Sequence, residues 1–360
     1  MGNDALQWET SKKTDFGVDL GILDSKVRLN FDYFKNEIEG MILNVPVATS
    51  LGVPNNRIAK NIGSMKNTGY EFGIEASIFN MGDFKWNVNA NLTLQKSIVT
   101  SLPSNNADII GGSSTDININ PNIIIRTNES PNSLYGYQYW GVNSANGNPV
   151  YVKADGSLVQ GNITTQSYVA FDPANPTNVA TASSLVGSDR KILGNTLPTY
   201  FGGFTSTMIY KNLDFGFLIR FSGGNQVFNS TRRDNLNQDL NNNSTEILGR
   251  WQSASNPGDG ITPKLWAGRG NFINLASAAS TRFVEDGDFV SLDNVSFGYS
   301  LPKSLLEKIK LDKFRFFIQA QNLLIITDYK GINPEMETFG VDLNGTPRAK
   351  VFSMGINVNL

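Results

Sequence analysis

The sequence predicts an all-β fold: an antiparallel, up-and-down transmembrane β-barrel, partial, with long extracellular loops and short periplasmic turns. Three features carry that expectation. Apolar residues recur at every second position over long stretches, and the connections between those stretches alternate between short and long. No run approaches the about 18 to 20 consecutive apolar residues that a spanning helix needs. In lipid only helices and closed sheets satisfy every backbone N–H and C=O, so a membrane protein with this pattern has to be a barrel.

A period of two puts alternate side chains on opposite faces of a strand. In the first stretch, 15–22, Phe16, Val18, Leu20 and Ile22 form the apolar set, with Gly17, Asp19 and Gly21 between them. From residue 26 onward, Val27, Leu29, Phe31 and Tyr33 alternate with Arg28, Asn30 and Asp32. The next pair is cleaner. Tyr70, Phe72, Ile74, Ala76 and Ile78 alternate with Glu71, Gly73, Glu75 and Ser77. After Met81-Gly82, the set Phe84, Trp86, Val88, Ala90, Leu92 and Leu94 alternates with Lys85, three asparagines, Thr93 and Gln95.

Further strands are expected at 122–128, 134–142, 199–210, 212–222, 288–300, 313–325 and 349–360. The stretch 288–300 changes phase between Leu292 and Val295, which predicts a bulge or a strand continuing above the bilayer. This makes about 11 strands of about 8 to 13 residues. An odd count leaves the first and last strands parallel, so antiparallel closure fails and both edges look for partners upstream.

Short connections fall at 23–25, 80–83, 129–133 and near Lys211, and long ones at 44–66, 97–121, 143–198, 223–281 and 327–347. In outer-membrane barrels short turns are periplasmic and long loops face outside. The exception on the short side is 301–312, where Pro302 followed by Leu305, Leu306 and Ile309 predicts one short helix.

Composition narrows the chemistry. The 360 residues are 40% hydrophobic, so the chain folds, and 30 basic against 32 acidic residues leave a formal charge of −2. That gives no cationic field for a nucleic acid partner. Cysteine and histidine are absent, which excludes thiolate nucleophiles, disulfides, Cys/His zinc sites and the Ser-His-Asp mechanism. Met1-Gly2-Asn3-Asp4 has no basic-then-apolar run, so an export signal is expected upstream of Met1.

Several segments resemble the C-terminal half of SusC/RagA-type TonB-dependent transporters. They are Leu6-Gln7-Trp8-Glu9-Thr10-Ser11-Lys12-Lys13-Thr14-Asp15-Phe16-Gly17, Asn67-Thr68-Gly69-Tyr70-Glu71, and Ile192-Leu193-Gly194-Asn195-Thr196-Leu197-Pro198 followed by Gly202-Gly203. The run FVSLDNVSFGYSLP from Phe289 to Pro302, then Gln321-Asn322-Leu323 and Tyr329-Lys330-Gly331, is similar to that family as well. The resemblance implies a barrel of about 22 strands with about 11 here. It also implies an outer-membrane location and import of oligosaccharides or peptides. A plug and a TonB-contacting segment in an N-terminal part, and a SusD-like surface lipoprotein as partner, are implied too. Two departures stand out: the last residue is Leu360 where the family commonly ends in an aromatic, and no plug is present.

Candidate contact residues are aromatic. Tyr135, Tyr137, Tyr139 and Trp140 can stack on a ligand, or form an interfacial girdle. Trp251 and Trp266 sit in the longest loop, where they can meet a ligand or a lipoprotein, or simply pack that loop. Glu285, Asp286 and Asp288 are a weak Ca²⁺ candidate whose ordinary reading is a solvated turn, because the spacing is not that of an EF-hand loop. Gly111-Gly112 and Gly202-Gly203 lack the spacing of a phosphate cradle. No arrangement marks a catalytic residue, so the chain reads as a non-enzyme without a cofactor. Two competing classes remain: a structural or adhesive β-protein displaying its loops, and a soluble β-sandwich hydrolase. A barrel exposes the apolar set to lipid, whereas a sandwich buries it against a second sheet.

Overall fold

The computed structural model describes residues 3–102, 106–112, 120–178, 181–236, 242–265, 275, 278–335 and 339–359. Its main body is a 9-stranded sheet. The strands in chain order are β1 (Thr10–Ile22), β2 (Val27–Glu39), β3 (Ser64–Met81), β4 (Phe84–Ser101), β5 (Tyr200–Tyr210), β6 (Leu213–Gly223), β7 (Phe289–Ser300), β8 (Lys313–Ile326) and β9 (Val351–Asn359). Each pairs antiparallel with the next, so sheet order follows chain order. The up-and-down prediction holds.

Register keeps the apolar set on one face across the whole wall. Val18, Phe31, Phe72 and Leu92 lie in one row, and Phe217, Val295 and Ala320 in another. That face is uncovered: Phe16 is 64% exposed, Phe352 73% and Met354 79%. A sandwich is excluded, because among the described residues no second sheet lies on it. Ser206 intrudes on this apolar row, and the Trp86 indole Nε1 donates to its hydroxyl at 3.0 Å, which removes a lone polar group from the lipid side.

The conventional core lies at the end where the long loops gather. Ile123, Leu134, Phe228, Ala279 and Phe283 are fully buried there, and Leu43, Val99, Leu102, Ile109 and Ile125 form a second cluster. β3 and β4 run 18 residues each, longer than the about 9 to 11 needed to cross a bilayer, and Val99 at the upper end of β4 enters that core.

Two expected wall strands belong to this upper structure. Ile123–Ile125 and Ser133–Val142 sit inside a separate 8-stranded sheet, and the 129–133 turn joins them rather than crossing to the periplasmic side. The expected loops 97–121 and 143–198 are therefore one excursion between β4 and β5, which pair directly. The wall has nine strands here, still an odd number. Within β3 a bulge between Ser77 and Phe79 skips Ile78, so Phe79 rather than Ile78 continues the apolar row and stacks on Trp86. The expected bulge in β7 is present: Asp293 is the extra residue between Leu292 and Asn294 where β7 pairs with β6.

At the short end, Leu23, Asp24 and Ser25 turn the chain with positive φ. The Lys211 amide donates to the Asp83 carbonyl and the Asn212 side chain to Ser300, lacing neighbouring turns together. The predicted short helix spans Lys303–Ile309, and of its stripe Leu306 is buried while Leu305 and Ile309 stay half-exposed.

Candidate functional site

The face opposite the apolar set is mostly polar, broken by Phe201, Leu218 and Phe317. β4 presents Asn87, Asn89, Asn91 and Thr93 against Ser77, Glu75, Gly73 and Glu71 of β3 on one side and Thr207, Thr205, Gly203 and Phe201 of β5 on the other. On β6 and β8, Arg315 donates to both oxygens of Asp214, at 3.0 and 2.5 Å. That pair lies over Gly298, where any Cβ would collide with it.

Near the upper rim the β7 bulge turns Asp293 toward this polar face, and Asn322 on β8 takes a left-handed φ of 54° opposite it. Asp293 accepts from Arg220 of β6 and from the Ser291 hydroxyl at 2.8 Å. Arg220 also donates to Glu335 at 3.0 Å, and Arg348 bridges Glu335 and the Asn322 side-chain oxygen. Both Glu335 and Arg348 belong to the last long loop. Charge-assisted bonds of this kind fix geometry as well as contributing energy. The clamp holds the loop against the wall, above a cavity of about 980 Å³ that Arg220, Glu335 and Arg348 line with Asn91, Thr93 and Asn225.

A second knot joins the loop after β6 to the loop after β8. Arg232 donates to both Glu246 oxygens, at 2.8 and 2.5 Å, and to Glu285 at 3.0 Å, with its guanidinium over the Phe283 ring. Burial opposes ionisation of Glu246, but the bonds and charge of Arg232 outweigh it and hold the carboxyl below its ordinary range. The Lys330 amide donates to Glu285 at 2.8 Å. Tyr329 is buried, and its hydroxyl donates to Asp342 at 2.6 Å. Burial first, then Asp342, pushes that phenol well up. A hollow of about 760 Å³ opens beside this knot and meets the larger cavity at Asn333, Glu335 and Thr346.

The sequence-predicted contact residues fall mostly elsewhere. Tyr135, Tyr137 and Tyr139 lie on Ser133–Val142, a strand paired along both edges within the loop sheet, and Tyr135 and Tyr137 are buried while Tyr139 is half-buried. Arg126, Arg190 and Arg282 sit over their respective rings, and the Tyr139 hydroxyl donates to Ile261 at 2.7 Å. They pack the loop domain and form no girdle along the wall. Trp140 is 48% exposed, edge-on to Phe171. Trp251 donates to the Ser144 carbonyl at 2.7 Å, and Trp266 lies outside the described residues, as does Leu360.

The three acidic residues of the turn serve different partners: Glu285 the Arg232 knot, Asp286 Gln226, and Asp288 the Tyr200 hydroxyl and the Gly224 amide. Among the described residues no group of three or more carboxylates gathers to hold a metal. Sequence reasoning missed Arg220, Asp293, Asn322, Glu335 and Arg348. The phase change at 292–295 was the one signal pointing to them.

A wall apolar and uncovered outside, polar within, and carrying its long loops at one end defines an outer-membrane β-barrel. The family model "TonB dependent receptor-like, beta-barrel" matches residues 1–184, and the chain belongs to that family. It is 30% identical over 369 residues to TonB-dependent receptor P3 of Formosa agariphila, and 27% identical over 369 residues to TonB-dependent receptor SusC of Bacteroides thetaiotaomicron. Each comparison covers 99% of this chain but only 35% and 32% of the relative, so the chain spans about a third of their length. The solved RagAB peptide transporter superposes with a TM-score of 0.79 at 23% identity, covering all of this chain and 36% of that one. The likeness in fold extends over wall and loops together.

Proposed function

We infer that residues 1–360 are the C-terminal part of the barrel of a SusC-like transporter that imports oligosaccharides or peptides across the outer membrane by TonB coupling. The observation that carries this reading is the polar inner wall leading up to a loop-bounded chamber, on a sheet whose outer face is uncovered and apolar. A wall of that kind separates lipid from an aqueous path, and the hydrogen-bonding amides of β4 suit a polar solute. In this reading a SusD-like lipoprotein covers the loop end. The plug and the TonB-contacting segment belong to the part of the protein outside these residues. SusC and the RagAB peptide transporter among the relatives support the lipoprotein partner, and the name of the RagAB peptide transporter supports a peptide as one solute class. Enzymatic chemistry has no place in it.

The test is uptake. A strain lacking the gene should lose growth on one defined oligosaccharide or peptide mixture, regain it with the full-length gene, and lose it again when TonB is disrupted. Growth unaffected by TonB, with loss only of surface attachment, would favour an adhesive role and overturn the import reading.

A further inference from the structure

The hollow beside the Arg232 knot has a division of labour among its polar groups. Its carboxylates and its guanidinium are engaged: Glu246 by Arg232, Glu335 by Arg220 and Arg348, and Asp342 by Tyr329, Thr231 and the Asn344 amide. Six other lining side chains, Asn235, Ser244, Thr245, Lys330, Asn344 and Thr346, make no side-chain hydrogen bond or ion pair among the described residues. The Ser244 hydroxyl is enclosed and unpartnered. Lys330 is the only cation among the six. Its backbone is pinned by Glu285, and the buried Tyr329 ring packs against Gly331, where a Cβ would collide with it. A rigid base thus presents an exposed ammonium, hydrogen-bonded to nothing among the described residues and within charge range only of Glu246, which Arg232 already holds, to a pocket of hydroxyls and amides. Among the described residues the lining holds no aromatic ring, so it offers hydrogen bonds rather than a stacking platform.

We propose that this hollow is a subsite for a carboxylate carried on a hydrogen-bonding chain, with Lys330 as the pairing cation. The amide and hydroxyl groups bind the chain, and Lys330 selects the charge. A uronic acid residue and an acidic peptide side chain share this chemistry. The proposal rests on the import reading only in taking the chamber as the solute's path.

The purified full-length receptor is titrated with trigalacturonate and its methyl ester, and with an Asp-containing hexapeptide and its Asn counterpart, using wild type, Lys330→Gln and Lys330→Arg. One acidic probe should bind wild type about tenfold more tightly than its neutral counterpart. That preference should vanish in Lys330→Gln, return in Lys330→Arg and weaken with added salt. The probe that shows it names the source of the carboxylate. If neither acidic probe is preferred, or if Lys330→Gln keeps the preference, the subsite is overturned. The arginine variant guards against a folding artefact. Lys330-dependent binding without uptake overturns import and leaves the subsite standing, whereas uptake with no Lys330 dependence overturns the subsite only.

Discussion

Tyr329 braces the last long loop where Thr231 ties it to its neighbour. Its hydroxyl reaches Asp342, whose carboxylate also accepts from Thr231 and the Asn344 amide, so one buried carboxylate gathers three segments. Tyr329→Phe keeps the ring against Gly331 and removes one bond, and should cost about 1 kcal/mol in thermal unfolding of the full-length protein. Glu246 gives a second test, in pH. Its carboxyl is held below the ordinary 4.5, so the Arg232 contact contributes fully above that value and is lost as pH falls through the lower folded value. Hydrogen exchange at 230–236, 242–249 and 284–286 should therefore be flat from neutral pH to about 4.5 after correction for intrinsic rates, and accelerate below it. Acceleration beginning well above 4.5 would mean that another group governs the junction.

At the scale of the element, two bulges meet where β7 runs between β6 and β8: Asp293 is the extra residue of β7 against β6 and turns to the polar face, while on β8 Asn322, at positive φ, and Leu323 together face Asp293. Asn322→Val should cost about 1 to 2 kcal/mol from backbone strain, whereas Asn322→Gly should keep the bulge and lose only the contacts to Ala349 and Arg348. Arg220→Ala removes the clamp's bonds to both Asp293 and Glu335 and leaves Asp293 only the more distant Arg348, at 3.8 Å, so limited proteolysis within the last long loop should quicken about tenfold. The bulge was legible in the sequence because two phases of alternation cannot meet without one. The wall strands were legible for the same reason, since each faces lipid on one side and water on the other. Ile123-Ile124-Ile125 and Leu134 to Tyr137 misled because a strand segment buried on both faces carries no such signature. The clamp was illegible because its partners stand far apart in sequence: Arg220 lies 73 residues from Asp293 and 115 from Glu335. Pairing at that separation is decided by the fold.

At the scale of the whole molecule, the sheet has two open edges. β1 pairs over Thr10–Ile22 with β2 alone, and β9 over Val351–Asn359 with β8 alone. Both strands run from the loop end toward the short turns, because nine alternating strands begin and end in the same direction. Joining β1 to β9 would therefore make a parallel pair, and a ring of two copies would place β9 of one beside β1 of the other in the same parallel sense. Neither closure is available to an up-and-down antiparallel barrel, and backbone groups left open in hydrocarbon cost several kcal/mol each. Residues 1–360 produced alone and refolded into detergent or vesicles should therefore give no heat-modifiable band on electrophoresis, while the full-length receptor gives one. Co-refolding with the remainder of the protein should restore it, by offering antiparallel partners to both edges. A heat-modifiable monomer from residues 1–360 alone would mean that the two edges do meet, and that the wall closes in a way its strand order forbids.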